Sequence, residues 1–325
     1  MITLKDAKKW SRMGIRATYG QALLMLAERY DNLFAMTADL GFSSGLQRFM
    51  NEYPDKFLNV GIAEQNLIGV AAGLAKEGSI VFASSFAPFI TMRCCEQIRM
   101  NMGYMKMNIK TVGLGSGLVM GHLGNSHYGL EDISIMRSIP NMTVVSPADC
   151  VELVKTVEAV AAYDGPVYIR LTGGVNNPIV YHEDYDFNLF KADVLQEGQD
   201  ILILSNGSMV YYSLEAAKVL RLHGINATVI NMHTIKPLDT NVINQYLKGK
   251  RLIVTVEEHN IIGGLGSAVA EYKTRLNHVP KQLIIGLPDA YEKSADYDYL
   301  LDKYGLTAQK IAEKILANLE EKYDE

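Results

Sequence analysis

The sequence predicts an α/β protein built from two doubly wound domains, the second smaller than the first. Strand-like apolar runs alternate with helical patterns along nearly the whole chain, and one polar, glycine-containing stretch interrupts this alternation. The length of 325 residues is enough for two cores. We therefore expect domains at 1–175 and 193–325, joined by a connector at 176–192.

In the first half, β-branched and apolar runs predict strands, and apolar residues spaced three and four apart predict the helices between them. The predicted strands cover 33–37, 80–83, 109–112, 143–146 and 166–171, and the predicted helices cover 18–29, 67–75, 90–102, 130–138 and 150–162. Pro140 ends one helix, and Pro147 with Asp149 opens the next. Such alternation is typical of a parallel sheet covered on both faces.

The second half repeats this alternation after the interruption at 173–193, which contains Gly173, Gly174 and Pro178. The predicted strands are 200–205, 226–231, 251–257 and 282–287, and the predicted helices are 211–223, 241–248, 266–276 and 307–322.

Composition excludes several classes of protein. The net charge of −5 and pI near 5.9 argue against a nucleic-acid binder, which needs a basic excess. The amino terminus lacks the apolar core of a secretory signal and no run of 18 apolar residues occurs, so we expect a cytoplasmic protein. The three cysteines have no metal-binding or disulfide spacing and are interpreted as reduced packing residues.

Glu64 stands at a junction between two apolar segments. The run before it, which we expect to be buried, comprises Phe57, Leu58, Val60 and Ile62, and the inward helical face after it comprises Ile68, Ala71, Ala72 and Ala75. Burying an unpaired carboxylate is costly, so a buried Glu64 needs a dedicated partner. The alternative is an ordinary acid that interacts with the helix macrodipole.

Three further residues lie near the carboxyl ends of predicted strands, where open α/β sheets bind their ligands. His127 is in the glycine-rich loop 113–129, together with His122. Phe86 and Phe89 follow the strand at 80–83, and Pro88 keeps their segment out of a helix interior. The alternatives are a solvated histidine and two core phenylalanines.

Glycine motifs give weaker indications. The run 113–117 follows a strand but lacks the third glycine of a dinucleotide fingerprint, so nicotinamide binding is disfavoured. The run 263–267 opens a helix and either binds an anion or permits close packing of the helix start. Phosphate-loop, nucleophile-elbow and His-Glu-x-x-His signatures are absent from the sequence.

Several short segments together are characteristic of one family. They are 61–66 (Gly-Ile-Ala-Glu-Gln-Asn), 85–89 (Ser-Phe-Ala-Pro-Phe), 96–99 (Glu-Gln-Ile-Arg), 126–127 (Ser-His), 139–142 (Ile-Pro-Asn-Met), 146–149 (Ser-Pro-Ala-Asp) and 257–260 (Glu-Glu-His-Asn). Over nearly its whole length the chain resembles the carboxyl-terminal half of transketolases, a pyrimidine-binding domain followed by a smaller C-terminal domain. It looks like the small subunit of split transketolases, which implies thiamine diphosphate as cofactor and transfer of ketol groups between sugars.

The resemblance also implies roles for residues at matching positions. Glu64 matches the glutamate that hydrogen-bonds N1′ of the aminopyrimidine, which favours the tautomer able to remove the thiazolium C2 proton. Phe86 and Phe89 match aromatic residues packed on the pyrimidine, and Asp39 with Leu40 matches a segment near the cofactor. Positions that face the sugar substrate and its phosphate are matched by Arg16, Ser43 and His127, and we expect His127 to be catalytic as well.

Departures from the family pattern are equally informative. Gly173 aligns with the arginine that usually binds the substrate phosphate, a phosphate-facing histidine aligns near Gly115 or Ser116, and Leu123 aligns with an aspartate that contacts a sugar hydroxyl. A missing bidentate arginine suggests an altered substrate, such as a branched, deoxy or sulfonated sugar, or a phosphate site completed by the partner chain.

The family's Gly-Asp-Gly motif, which holds Mg²⁺ and the diphosphate, occurs nowhere in the sequence. The resemblance therefore implies a separate large subunit that carries the metal ligands, and an α2β2 heterotetramer.

Three alternatives remain open at this stage. The β subunit of a 2-oxo-acid dehydrogenase shares the two-domain plan, but it usually shows Ile-Ser-Glu where this chain has Ile62-Ala63-Glu64. Deoxyxylulose-phosphate synthase is usually one long chain with its own diphosphate motif. A non-catalytic regulatory paralogue is disfavoured because Glu64, Phe86 and Phe89 are all present.

Overall fold

A computed structural model describes residues 1–291 and 293–320. The helices are α1 (Leu4–Met13), α2 (Ile15–Ala27), α3 (Gln47–Glu52), α4 (Glu64–Lys76), α5 (Ala87–Thr91), α6 (Cys95–Ile98), α7 (Asp132–Ser138), α8 (Cys150–Ala162), α9 (Met209–Leu222), α10 (Thr240–Leu247), α11 (Leu265–Lys273), α12 (Tyr297–Lys303) and α13 (Ala308–Glu320). The strands are β1 (Leu33–Thr37), β2 (Phe57–Asn59), β3 (Ile80–Phe86), β4 (Ile109–Leu114), β5 (Thr143–Val145), β6 (Val167–Arg170), β7 (Asp193–Gln196), β8 (Ile201–Ser205), β9 (Ala227–Asn231), β10 (Thr234–Lys236), β11 (Leu252–Asn260) and β12 (Lys281–Leu287). Turns of 3₁₀ helix cover Pro54–Lys56 and Gly121–Ser126, and a π-helix covers Arg99–Tyr104.

The first sheet has the strand order β10-β5-β6-β4-β3-β1-β2. Its strands are parallel except β10, which pairs antiparallel with β5. The register sets Thr37 of β1 opposite both Asn59 of β2 and Ser84 of β3, and Gly113 of β4 opposite Arg170 of β6. The carboxyl ends of these strands therefore meet at one edge, which is where the loops that follow them lie side by side.

The second sheet has the order β12-β11-β8-β9-β7, parallel except for β7 at its edge. The α/β class with two mainly parallel sheets is thus confirmed. Strand β10 follows the second-domain strand β9 in the chain yet extends the first sheet, and the Lys236 ammonium donates to the carbonyl of Arg137 at 2.8 Å. The two sheets are therefore tied together by chain connectivity as well as by packing.

Local sequence explains where helices begin. Thr3 and Asp6 form a reciprocal capping box at the start of α1, and the Asp149 carboxylate accepts a hydrogen bond from the backbone N–H of Glu152 at 2.9 Å to cap α8. Gly14 separates α1 from α2 with φ of +83°, a conformation that other residues rarely adopt.

Several predicted boundaries were wrong. Helix α2 starts at Ile15 rather than at residue 18, and the predicted helix 90–102 is instead α5, a turn, α6 and a π-helix. The run expected to be buried before Glu64 is a partly exposed edge, with Leu58 37% and Ile62 80% exposed. Helices α1, α3 and α12 and strands β7 and β10 were not predicted. The end of the predicted helix 307–322 lies outside the described residues.

A buried ion pair stabilises the region where the two domains meet. Arg170 Nε lies 2.8 Å from Asp132 Oδ2, and both side chains are fully buried. Arg170 Nη2 also donates to the carbonyls of Gly129 and Glu258, so it connects the loop after β4 with strand β11 of the second domain. The three cysteines are free thiols, as expected. Among the described helices, none combines the length and the apolar character needed to cross a bilayer.

Candidate active site

The candidate site lies at the carboxyl edge of the first sheet, where five neighbouring strands end. Asp39, Leu40 and Ser43 follow β1, Glu64 follows β2, Phe86 and Phe89 end and follow β3, His127 lies in the loop after β4, and Gly173 follows β6. The position predicted for these residues, next to strand ends, is therefore what is observed.

Glu64 is the first residue of α4 and is only 4% exposed. Its Oε2 atom lies 2.8 Å from Nη1 of Arg93, in the turn between α5 and α6. The Arg93 guanidinium carbon also lies 4.2 Å from the centroid of the Phe89 ring, a cation–π distance. The dedicated partner that a buried carboxylate requires is thus Arg93, a residue that sequence reasoning missed because nothing in the local pattern links positions 29 apart.

Phe86, Phe89 and His127 form a compact ring cluster. The ring centroids are 5.9 Å apart for Phe86 and Phe89, 5.5 Å for Phe86 and His127, and 5.1 Å for Phe89 and His127, all in edge-to-face arrangements. Nδ1 of His127 is 2.9 Å from the hydroxyl of Ser126. Pro88 is in the first turn of α5, the position where a helix tolerates proline, so Phe89 projects from a short helix rather than from a turn.

The Asn59 side chain connects the loop after β1 with the segment that immediately precedes Glu64. Its Oδ1 atom accepts hydrogen bonds from the backbone N–H of Asp39 at 2.9 Å and of Gly61 at 3.0 Å. Asp39 has φ of +60° and Gly61 has φ of +73°, so both segments make tight turns that this amide holds. Leu40 packs against the first-domain core. Sequence reasoning assigned no role to Asn59.

Arg16 and Ser43 line a separate cleft of about 440 Å³, together with Phe42, Val119 and Gly173. Arg16 Nη1 donates to the carbonyl of Ser43 at 3.1 Å, and burial lowers the pKa of Arg16. Glu64 and His127 are not among its lining residues, so the predicted residues fall into two groups. Val119, which lines this cleft, belongs to the same loop 113–129 as His127.

Gly173 cannot carry a side chain without rearrangement. Its φ is +82°, and a Cβ atom at this position would lie 2.3 Å from Oδ1 of Asn177. The backbone conformation at position 173 therefore disfavours an arginine there. The cation that lines this cleft is Arg16.

Buried Glu258 holds the loop that carries His127. Its carboxylate accepts hydrogen bonds from the backbone N–H of Leu118 at 2.6 Å, from Ser208 Oγ at 2.5 Å and from the Tyr297 hydroxyl at 2.8 Å. Burial raises the pKa of Glu258, while these donors lower it. The Glu-Glu-His-Asn segment 257–260 carries part of the family resemblance, but the sequence does not reveal that Glu258 anchors this loop.

The glycines at 263–267 belong to a closely packed helix start. The neighbouring carboxylate of Glu257 accepts hydrogen bonds from the backbone N–H groups of Leu265 and Gly266 at 2.7 and 2.8 Å, and a Cβ on Gly264 would lie 2.0 Å from it. The anion at this helix amino terminus is therefore a side chain of the protein itself.

Comparison with known families assigns both halves of the chain. Residues 11–175 match the family described as "Transketolase, pyrimidine binding domain", and residues 190–311 match "Transketolase, C-terminal domain". The chain belongs to the transketolase family. This confirms the resemblance drawn from the sequence motifs, and transketolase-family membership implies dependence on thiamine diphosphate.

Individual relatives agree with that family. The chain is 42% identical to a putative transketolase C-terminal section of Methanocaldococcus jannaschii, covering 94% of this chain and 96% of the relative. It is 41% identical to a 6-deoxy-6-sulfo-D-fructose transketolase subunit of Clostridium sp., covering 91% and 92%. A solved split-gene transketolase, described as an inactive beta4 tetramer, matches with a TM-score of 0.86 and 39% identity over 94% of this chain and 97% of that one. Over more than nine tenths of its length the chain is thus similar to a separate transketolase C-terminal section, a transketolase subunit and a split-gene transketolase.

The residues at the sheet edge fit the aminopyrimidine end of this cofactor. A nearly buried carboxylate at Glu64 and the ring of Phe89 already hold a planar group with N–H donors, the guanidinium of Arg93. The same two groups suit a planar heterocycle that needs one hydrogen bond at its edge and an aromatic contact on its face.

Proposed function

We propose that the chain is the small, catalytic subunit of a two-component, thiamine-diphosphate-dependent transketolase. It transfers a two-carbon ketol unit between sugars or sugar phosphates, with a pyrimidine-binding domain at 1–175, a connector at 176–192 and a C-terminal domain at 193–325. The observation that carries this proposal is the buried carboxylate of Glu64 beside the Phe89 ring, at the carboxyl edge of a parallel sheet.

Each residue then has a defined task. Glu64 binds N1′ of the aminopyrimidine, in a position shielded from water where a single hydrogen bond is strong. When bound, the cofactor supplies a thiazolium that stabilises negative charge on the ketol carbon. Phe86 and Phe89 pack on the pyrimidine, and Asp39 with Leu40 borders it. His127, held against both phenylalanine rings, faces the sugar and exchanges a proton with a substrate oxygen.

A partner subunit completes this site. The sequence has no Gly-Asp-Gly motif, so we assign the Mg²⁺ ligands and the diphosphate contacts to a separate large subunit in an α2β2 assembly. The relative described as an inactive beta4 tetramer supports the idea that small subunits alone do not turn over. We place this enzyme in the cytoplasm.

The substrate of this enzyme differs from the standard sugar phosphates of the family at the end distant from the reacting carbons. The cleft formed by Arg16, Ser43 and Gly173 has one arginine where the family usually has more cationic groups. One relative is named for a sulfonated sugar, whose terminal group carries a single negative charge, and a single arginine suits that charge. We therefore favour a sugar with an altered or less charged end over a standard pair of sugar phosphates.

The test is to co-express the chain with the product of the neighbouring gene and to assay ketol transfer with thiamine diphosphate and Mg²⁺. Co-purification and activity with an altered sugar are expected. Full activity with xylulose 5-phosphate and ribose 5-phosphate would remove the altered-substrate proposal. Thiamine-dependent activity of the chain by itself would overturn the two-component proposal, and a requirement for a lipoyl domain would indicate a 2-oxo-acid dehydrogenase instead.

A further inference from the structure

Arg93 lies at the centre of the candidate site, yet the proposed function gives it no task. Its guanidinium touches two of the groups assigned to the cofactor: the Glu64 carboxylate, through Nη1 at 2.8 Å, and the Phe89 ring, at 4.2 Å from the centroid. No other arginine among the described residues makes an ion pair with Glu64. The side chain therefore uses the two contacts on which aminopyrimidine binding depends.

The chemistry of the two groups explains why they compete. A guanidinium and an aminopyrimidine are both planar, both donate N–H hydrogen bonds from an edge, and both stack on aromatic faces. Glu64 is 4% exposed, so its carboxylate has little room for two such partners at once. Phe89 likewise offers one face to whichever planar group lies next to Glu64.

We infer that Arg93 occupies the aminopyrimidine position in the free subunit and leaves it when the cofactor enters. This inference rests on the proposed function, because it requires that Glu64 and Phe89 receive the cofactor. In the free subunit, Arg93 spares Glu64 the cost of an unpaired buried carboxylate. Cofactor binding is then an exchange of one partner for another, and the pyrimidine site is closed until a competing ligand arrives.

The surroundings of Arg93 allow this exchange. Its side chain is 44% exposed, so the guanidinium can swing toward solvent. Its backbone carbonyl accepts a hydrogen bond from Gln65 Nε2 at 3.0 Å, which ties the turn between α5 and α6 to helix α4. The movement is therefore confined to the side chain and leaves the positions of Glu64 and Phe89 intact.

The experiment measures binding of thiamine, the probe without diphosphate, to the full chain by isothermal titration calorimetry. Arg93→Ala removes the competitor, so its dissociation constant for thiamine should be lower than that of the wild type by about tenfold, as expected for losing one ion pair and one cation–π contact. Arg93→Gln, which keeps a hydrogen-bond donor without the charge, should lie between the two. Arg99→Ala is the matched control, because Arg99 pairs with exposed Glu96 at 2.8 Å and should not change binding.

A second measurement uses the unaltered chain. The side-chain N–H signal of Arg93 in nuclear magnetic resonance spectra, identified by its loss in Arg93→Ala, should shift on addition of thiamine while that of Arg99 does not. An Arg93 signal that stays unchanged when thiamine binds would overturn the inference, as would equal or weaker thiamine binding by Arg93→Ala. Failure of thiamine to bind to any form, and of thiamine diphosphate to bind to the complex with the partner, would overturn the proposed function as well.

Discussion

Replacing Arg170 with methionine tests how burial determines the strength of an ion pair. In the wild type, Arg170 and Asp132 are fully buried at an N–O distance of 2.8 Å. The variant leaves the Asp132 carboxylate buried, with the Tyr168 hydroxyl still donating to it at 2.6 Å and with His259 Nε2 lying 3.9 Å from it. Breaking a buried pair from one side costs about 3–5 kcal/mol of unfolding free energy.

A matched control comes from the surface of the same domain. Arg29 and Glu158 pair at 2.7 Å, but both side chains are 53% exposed. Arg29→Met should therefore cost less than about 1 kcal/mol, because water screens the pair. The two variants remove the same kind of contact at nearly the same distance and differ in burial.

Equilibrium urea unfolding provides the measurement. The single tryptophan, Trp10, is buried in the first-domain core, so its fluorescence reports the unfolding of the domain that contains both pairs. The double variant Asp132→Asn/Arg170→Met should recover at least half of the loss, because no uncompensated charge remains. Equal losses for Arg170→Met and Arg29→Met would refute this reasoning.

Two further predictions concern His259 and Gly173. Burial lowers the pKa of His259 to about 4. Between that value and its unfolded value near 6.5, only the unfolded chain binds the proton, so stability should fall as pH decreases through this window, by roughly 3 kcal/mol for this group. Urea unfolding at several pH values should show a shallower dependence for His259→Asn but not for exposed His223→Asn, and identical slopes in all three proteins would contradict the assignment. Gly173→Ala should cost more than about 1 kcal/mol because of its φ of +82° and the approach of Asn177, whereas Gly174→Ala, with open space around it, should be nearly neutral; thermal unfolding of both variants decides this.

Most parallel strands of both sheets could be predicted because they are short, largely apolar runs, as strands buried on both faces require. The parallel strand β2 is the exception, since it lies at the sheet edge and is not buried. Several elements at the edges of the sheets and at the surface were not predicted, because they lack such apolar runs. Strand β7 is only partly buried, β10 has three residues, and α1 buries just Ala7 and Trp10, so none has the apolar pattern that reveals an element. Apolar Ile62 was misread as buried because composition alone does not distinguish a core strand from an exposed edge.

The sequence predicted that Phe86, Phe89 and His127 lie near the carboxyl ends of strands, and the strands concerned do end at one edge of the sheet. The roles assigned to these residues and to Glu64 stay predictions. Arg93 and Glu258 were not found, since their contacts join segments that only the tertiary fold brings together.

The most direct test of the account is the turnover of Glu64→Gln in the complex with the partner subunit, under saturating thiamine diphosphate and Mg²⁺. Glutamine keeps the shape of the side chain and loses the carboxylate, so unfolding of the variant should resemble that of the wild type. Its ketol-transfer rate should fall by at least about 100-fold, the scale of a lost proton-transfer contribution. A variant with wild-type turnover would contradict the central claim that Glu64 activates the cofactor.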